Sequence, residues 1–203
     1  AGVFSKEHVD AVLALGDLGA DEGEIATVLT ALGRQAGAPV LALAGERAPE
    51  GVFHAAVARA RQAGIDVVDL VDTRLVDTGE IDIVSLPGYP FSPKGCHYTT
   101  ADLDGAERLV AGRTHPRVVA AHTPPKGDGA AAADWALGGI NAGDPAMARI
   151  LDRLAPRAAV FAHVDEAGGR ADGERINVGA VERGMAAIVT VDDGGGATHR
   201  VLR

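Results

Sequence analysis

The chain has one cysteine, Cys96. A lone thiol cannot close an internal disulfide, and without a second cysteine it cannot build a zinc knuckle, so both kinds of scaffold are excluded and the redox compartment stays open. Long apolar runs are missing as well. None approaches the roughly 18 to 20 residues that a membrane helix needs, and no basic leader precedes an apolar segment. The chain therefore reads as soluble, cytoplasmic by default and exported if an upstream signal has been removed. Clustered lysine and arginine are absent too. With a formal net charge of −9, the chain has no basic run to neutralise phosphates, so nucleic acid is not an expected partner.

Other chemistries are excluded by what does not occur. Serine stands only at positions 5, 85 and 92, with no G-x-S-x-G elbow, which removes the serine hydrolases. There is no G-x-x-x-x-G-K-[ST] loop, and the glycines of "DDGGGATH" read as a hairpin turn at Gly194 to Gly196. Cys96 and His97 are neighbours in sequence, but adjacency does not make a catalytic pair. His8, His54, His115 and His199 read as surface or packing residues.

What remains is ample for a core. The chain has 203 residues, of which 47% are hydrophobic and 23% charged, enough for one well-filled domain spanning 1–203 and far from a disordered composition. Helix and strand signals alternate early. "VDAVLALGD" is an apolar run stopped by glycine and aspartate, and "DEGEIATVLTALGRQAG" spaces Ile25, Val28, Leu29 and Leu32 on one helical face. "APVLALAGE", "EGVFHAAVARARQAG" and "IDVVDLV" repeat strand, helix and strand. "RLVDTGEIDIVSLPG" carries a hairpin turn at Asp77 to Gly79, and a polar loop follows from Tyr89 to Thr100. The second half has a weak helix at Leu103 to Ala111, the strand "RVVAAH", a long loop, the helix "DPAMARILDRLAP" and the strand "AAVFAH". Short strands in "RINVGAV", "AAIVTVDD" and "THRVLR" close it. This pattern predicts an α/β sandwich of two sheets with helices outside.

Four of these strands end in a polar residue where the next loop begins: Asp17 after Gly16, Glu46 after Gly45, His122 and His163. Ligands of α/β sheets gather at the carboxyl ends of strands. Two carboxylates and two imidazoles form a donor set suited to Zn, Mn or Fe. Each residue has a plain alternative. Asp17 also fits a turn or helix-capping acid, His122 a hydrogen-bonded strand end, and Glu46 a solvated loop residue paired with Arg47.

"LALGDLG", "PVLALAGERAPEG", "AAHTPPKG", "VFAHVDEAGG" and "INVGAV" together resemble, in order and approximate spacing, the motif blocks of the calcineurin-like metallophosphoesterases. The resemblance spans nearly the whole chain. It implies a two-sheet αββα sandwich of the metallo-dependent phosphatase type, and the departures from it are informative. No Asp-x-His block precedes Asp17. The Asn, His and acid of the third block are Glu46, Arg47 and Ala48, and in the Gly-His-x-His block the glycine is Ala162 and the last histidine Asp165. By this resemblance one metal set is reduced to Asp17 and Asp165, and that site looks lost. The other maps onto Asp17, Glu46, His122 and His163, enough for one divalent ion (Mn, Fe or Zn), or none if decay is complete.

Two metals clamp the attacking and leaving oxygens of a phosphoester, whereas one neutralises less of the transition-state charge. Arg47 could contact a phosphate, but it cannot supply a leaving-group proton, because a guanidinium stays charged. The expectation is a degenerate, catalytically impaired or inactive metallophosphoesterase-like domain with a binding or structural role. The alternative is an active metal-dependent phosphoesterase acting on phosphoester substrates with one metal or an unusual pair. An Asp-x-His strand upstream of Ala1 would restore most of the first metal site. Without such a strand, the one ending at Asp17 is expected to present an open edge, to be covered by an upstream segment, a second copy or another protein.

Overall fold

The computed structural model describes residues 8–202 apart from 93, 193 and 195. Its first half alternates strand and helix: β1 (Val12–Leu15), α1 (Glu22–Ala36), β2 (Val40–Leu43), α2 (Glu50–Gln62) and β3 (Val67–Asp69). The start of α1 is fixed by Asp21, whose carboxylate accepts from the Glu24 amide at 2.9 Å, satisfying one of the donors a helix start leaves free. Its end is fixed by Gly37, which turns into the left-handed region at φ 64°. In α2 the acid Glu50 opens the helix and Arg59 and Arg61 close it, matching the helix dipole. The three strands form a parallel sheet in the order β1-β2-β3, with Val12 opposite Val40 and Val40 opposite Val67. Among the described residues β1 pairs only with β2.

The second half builds a six-stranded sheet. β4 (Leu75–Asp77) and β5 (Asp82–Leu86) form the expected hairpin, followed by α3 (Thr100–Leu109), β6 (Arg117–Ala121), a small β7 (Trp135–Ala136) and β8 (Ile140–Asn141) pair, α4 (Pro145–Leu154) and β9 (Ala158–Phe161). Next come β10 (Ala171–Asp172) and β11 (Arg175–Asn177), then a hairpin of β12 (Ala186–Val191) and β13 (Ala197–Leu202). Residues 193 and 195 of that last turn lie outside the described residues. The sheet runs β10-β11-β9-β6-β5-β4, with four parallel strands inside and an antiparallel strand at each edge. α3 starts at Thr100, earlier than the apolar spacing suggests, because Thr99 and Asp102 make a reciprocal capping box. Asp144 and Pro145 open α4 in the same spirit.

Three apolar clusters hold these elements. Ile25, Leu29, Phe53 and Val57 of the first two helices pack on Val12, Ala14, Val40 and Ala42. Leu103, Met147, Ile150 and Leu154 of the other two pack on Val84, Leu86, Val119 and Phe161. A third cluster joins the opposite faces of both sheets: Leu15, Leu41 and Leu43 meet Ile83, Ala120 and Val160. Successive strand residues point to opposite faces, so a strand buried on both sides is apolar throughout. That is why "VLAL" occurs twice without alternation. Phe161 is fully buried, and truncating such a side chain to alanine costs about 3–5 kcal/mol. No helix among the described residues is long and apolar enough to cross a membrane.

Candidate metal centre

The parallel strands bring their carboxyl ends to one side of each sheet, and the third apolar cluster presses the two sheets together. Loops after β1, β2, β6 and β9 thereby meet. Gly16 allows a close approach: at φ +91° it lies where an added Cβ would stand 2.6 Å from His122 Nδ1 and 2.7 Å from the Gly45 amide nitrogen. Only glycine fits there.

His122 ends β6 with no exposed surface. Its Nδ1 lies 2.7 Å from the Leu15 carbonyl oxygen at the end of β1, which turns Nε2 toward the Glu46 carboxylate at 3.1 Å. His163, after β9, places Nδ1 2.8 Å from the same Glu46 oxygen, Oε2. The two imidazoles meet edge to face with ring centroids 5.2 Å apart. One donor atom from each of Glu46, His122 and His163 falls within 4.8 Å of the others, so these three residues could hold a metal ion. Asp17 stands beside them, Oδ2 3.7 Å from His122 Nε2. It is also engaged by Arg47, whose backbone N–H donates to Oδ1 at 3.0 Å and whose Nε lies 3.4 Å from Oδ2. Arg47 thus answers Asp17, not the neighbouring Glu46.

The electrostatics favour a cation at this point. Burial works to raise the Glu46 carboxyl, but the hydrogen bonds and charges of His122 and His163 outweigh it and hold the group down to about 2. For His122 burial works to lower the imidazole, and the Glu46 hydrogen bond, the Asp17 charge and the Leu15 carbonyl prevail and raise it. A proton on imidazole supplies positive charge that a divalent ion would otherwise supply. The donor set fits such an ion on chemical grounds: two imidazoles and a carboxylate, one imidazole oriented through its other nitrogen by a backbone carbonyl.

Two of these residues sit in an unusual backbone conformation. Asp17 and His163 have φ of 53° and 65°, in the left-handed region that side chains seldom adopt. Asn177, at the end of β11, accounts for His163. It is fully buried, and its amide nitrogen donates to the carbonyls of Ala162 (3.3 Å) and Val164 (3.0 Å) on either side of His163, and to Ala133 (2.9 Å). Its Oδ1 accepts the Gly179 N–H at 2.9 Å. The motif "INVG" contains this residue, but its role as a brace for the neighbouring loop is visible only in space.

Asp165 goes elsewhere. It begins a single turn of 3-10 helix and lies 3.7 Å from Arg183, outside the group formed by Glu46, His122 and His163. Two histidines that read as surface or packing residues also join carboxylates. His54 Nδ1 lies 2.7 Å from Asp69, with Glu50 and Asp72 nearby. His115 lies 3.5 Å from Asp77 and 3.6 Å from Asp82.

No protein-family model matches the chain, and no curated protein matches it significantly in sequence. Solved structures do match in shape. One aligns over 100% of this chain and 91% of its own at a TM-score of 0.77 with 17% identity. TT1561 of Thermus thermophilus aligns over 96% and 87% at a TM-score of 0.68 with 15% identity. At such identities the likeness is one of fold.

Proposed function

We propose that this chain is a degenerate calcineurin-like metallophosphoesterase domain, an αββα sandwich that holds one divalent metal ion and binds a phosphoester with impaired or absent turnover. The observation that carries the reading is the convergence of His122 and His163 on one oxygen of Glu46 at three strand ends. Helices on the outer faces of both sheets, and an apolar seam between the sheets, support the finer fold. A metal bound here supplies Lewis-acid polarisation of a phosphoryl oxygen. The protein's own part is to orient and to hold charge: Leu15 fixes the His122 ring, Asn177 fixes the His163 loop, and the half-exposed Arg47 offers a guanidinium to a phosphate. Impairment follows from Asp17, whose two oxygens are already engaged by Arg47, and from Asp165, which faces Arg183.

Elemental analysis of protein purified without chelator tests the reading. One metal per chain is expected, lost when His122 and His163 are both replaced by alanine; two tightly held metals, or metal retained in that variant, overturn it. Turnover of simple phosphomonoesters and diesters with added Mn, Ni or Zn should not exceed that of an Asp17→Asn, His163→Ala control. Robust turnover that vanishes in the control would establish an active phosphoesterase instead.

A further inference from the structure

Only 3% of the chain is aromatic, yet two of those few side chains stand together beside His163. The Tyr89 ring tilts over the His163 imidazole, centroids 4.7 Å apart at 31°, and Phe91 meets Tyr89 at 6.1 Å and 71°. Phe91 is 81% exposed. Other large apolar side chains here are exposed as well, Leu137 and Val181 among them; what sets Phe91 apart is its contact with Tyr89, which places it next to a candidate site.

The loop that carries the pair is built to hold it still. The Gly88 N–H donates to the Ala44 carbonyl at 2.9 Å, the Tyr89 N–H to the Cys96 carbonyl at 3.1 Å, and the Thr123 hydroxyl to the Gly88 carbonyl at 2.9 Å. The Ser92 hydroxyl donates to the Glu46 carbonyl at 3.2 Å. Both flanks of the aromatic pair are therefore tied to the segments that supply Glu46 and His122. The aromatic pair, the half-exposed guanidinium of Arg47 and the partly exposed Glu46 and His163 thus lie together at the carboxyl ends of the strands, with His122 buried beside them.

We infer that Tyr89 and Phe91 form a platform for a ring on the ligand, so that the site selects phosphoesters whose organic part carries an aromatic ring. The inference rests on the reading of the site as one that binds a phosphoester. The ring could be a phenyl group or a nucleobase, since both present a flat π-face.

Calorimetry on the zinc-loaded full chain separates the possibilities with phosphonates that cannot turn over. Phenylphosphonate should bind roughly five- to tenfold tighter than methylphosphonate, the ratio a ring–ring contact supports. Phe91→Ala should remove most of that preference and leave methylphosphonate affinity unchanged, and Phe91→Leu, which keeps apolar bulk, should also lose it. A parallel pair, adenosine 5′-monophosphate against ribose 5-phosphate, reports whether a nucleobase is preferred over phenyl. Equal binding of phenyl- and methylphosphonate, with equal binding of the second pair, overturns the platform while the phosphoester reading stands. Ring preference fully retained in Phe91→Leu overturns it as well. Binding of none of these four compounds overturns the phosphoester reading and the platform together.

Discussion

Two groups of acid and histidine stand at opposite ends of the six-stranded sheet, and they use the same residue types to different ends. Glu46, His122 and His163 meet at the carboxyl ends of β6 and β9, whereas Asp77, Asp82 and His115 meet at the amino ends of β5 and β6. The five steps along β6 from Arg117 to His122 separate them by roughly 16 Å. At the second group Arg113 has taken the place of a cation. Its Nε and Nη2 donate to the two oxygens of the fully buried Asp82 at 2.8 and 2.7 Å, and Nη2 reaches Asp77 as well. The Arg113 hydrogen bonds and charge hold Asp82 below the usual carboxylate range. At the first group the partners of Glu46 are two imidazoles, which unlike a guanidinium are not permanently charged and could serve a metal as neutral ligands. A list of ligand-type residues therefore does not define a metal site. What decides is whether the protein already supplies a permanent counter-charge.

The comparison is broken most severely through Asn177. The Arg113 group is held by its own ion pairs, whereas the left-handed backbone of His163 is held by a tight turn, the Val164 N–H donating to the Ala162 carbonyl at 2.8 Å, and by the buried Asn177 amide that bonds the carbonyls on both sides of it. Asn177→Ala removes the donor to three carbonyls, of which those of Ala162 and Val164 keep the Val164 and Ala167 N–H groups, and it takes from the Ala133 carbonyl and the Gly179 N–H the partner that Asn177 gave them. It is expected to destabilise the fold by about 3 kcal/mol, and to weaken zinc binding about tenfold or more, as loss of an outer brace does. Denaturant unfolding and zinc titration read the two effects. Unchanged zinc affinity in a folded variant would show that His163 does not need the brace, and would weaken its assignment as a ligand.

Part of this was legible in the residues alone. "VLALGD", "VLALAGE", "RVVAAH" and "AAVFAH" each mark an apolar strand followed by a polar residue, because strands buried on both faces cannot alternate and change character only where they emerge. The four strand-end residues could be picked out for that reason, and three of them come together in a tight group with Asp17 beside them. The dihedrals of Asp17 and His163 were hidden, since nothing in "GD" or "AHVD" announces a left-handed residue that distant bonds maintain. β10 and the β7–β8 pair were missed because two residues carry no period. By motif Asp165 stands where the resembled family has its last histidine, in the metal set that looks lost. The arginine that answers it, Arg183, comes from a different loop, and pairing between loops has no local signature.

A second prediction sharpens the contrast through pH. Without metal, the raised His122 contributes stability that is fully present below its ordinary 6.5 and is lost as pH rises through the raised value. Glu46, held down from 4.5 to about 2, contributes stability that is present above 4.5 and is lost only as pH falls toward 2. Metal acts the other way, because protons compete for the same nitrogens. Zinc at about a hundred times its dissociation constant adds about 2.7 kcal/mol, which raises the melting temperature of a chain this long by roughly 5–10 °C. That gain should appear near pH 8 and shrink toward zero near pH 5.5, while the Arg113 ion pairs keep their charges throughout. Thermal melts with zinc and with chelator at both pH values decide it. Equal gains under the acidic and the alkaline condition would mean that the histidines are not the donors.

The smallest expected effect comes from Asp165, and its smallness is informative. At Asp82 the bidentate contact with Arg113 would compete with a metal for the carboxylate. Asp165 is a weaker instance of the same competition: Arg183 lies 3.7 Å away, and both side chains are about half exposed. A pair of this kind contributes roughly 0–1 kcal/mol. Asp165→Asn should therefore shift the denaturation midpoint little and leave the metal content at one per chain. Asp17 is answered by an arginine too, but its carboxylate also stands 3.7 Å from His122 Nε2, so Asp17→Asn should weaken metal binding more. If zinc affinity falls as far in Asp165→Asn as in Asp17→Asn, then Asp165 leaves Arg183 when metal arrives. In that case the two carboxylates would act together at a centre larger than the three residues now in contact, and a site for two metals would return to consideration.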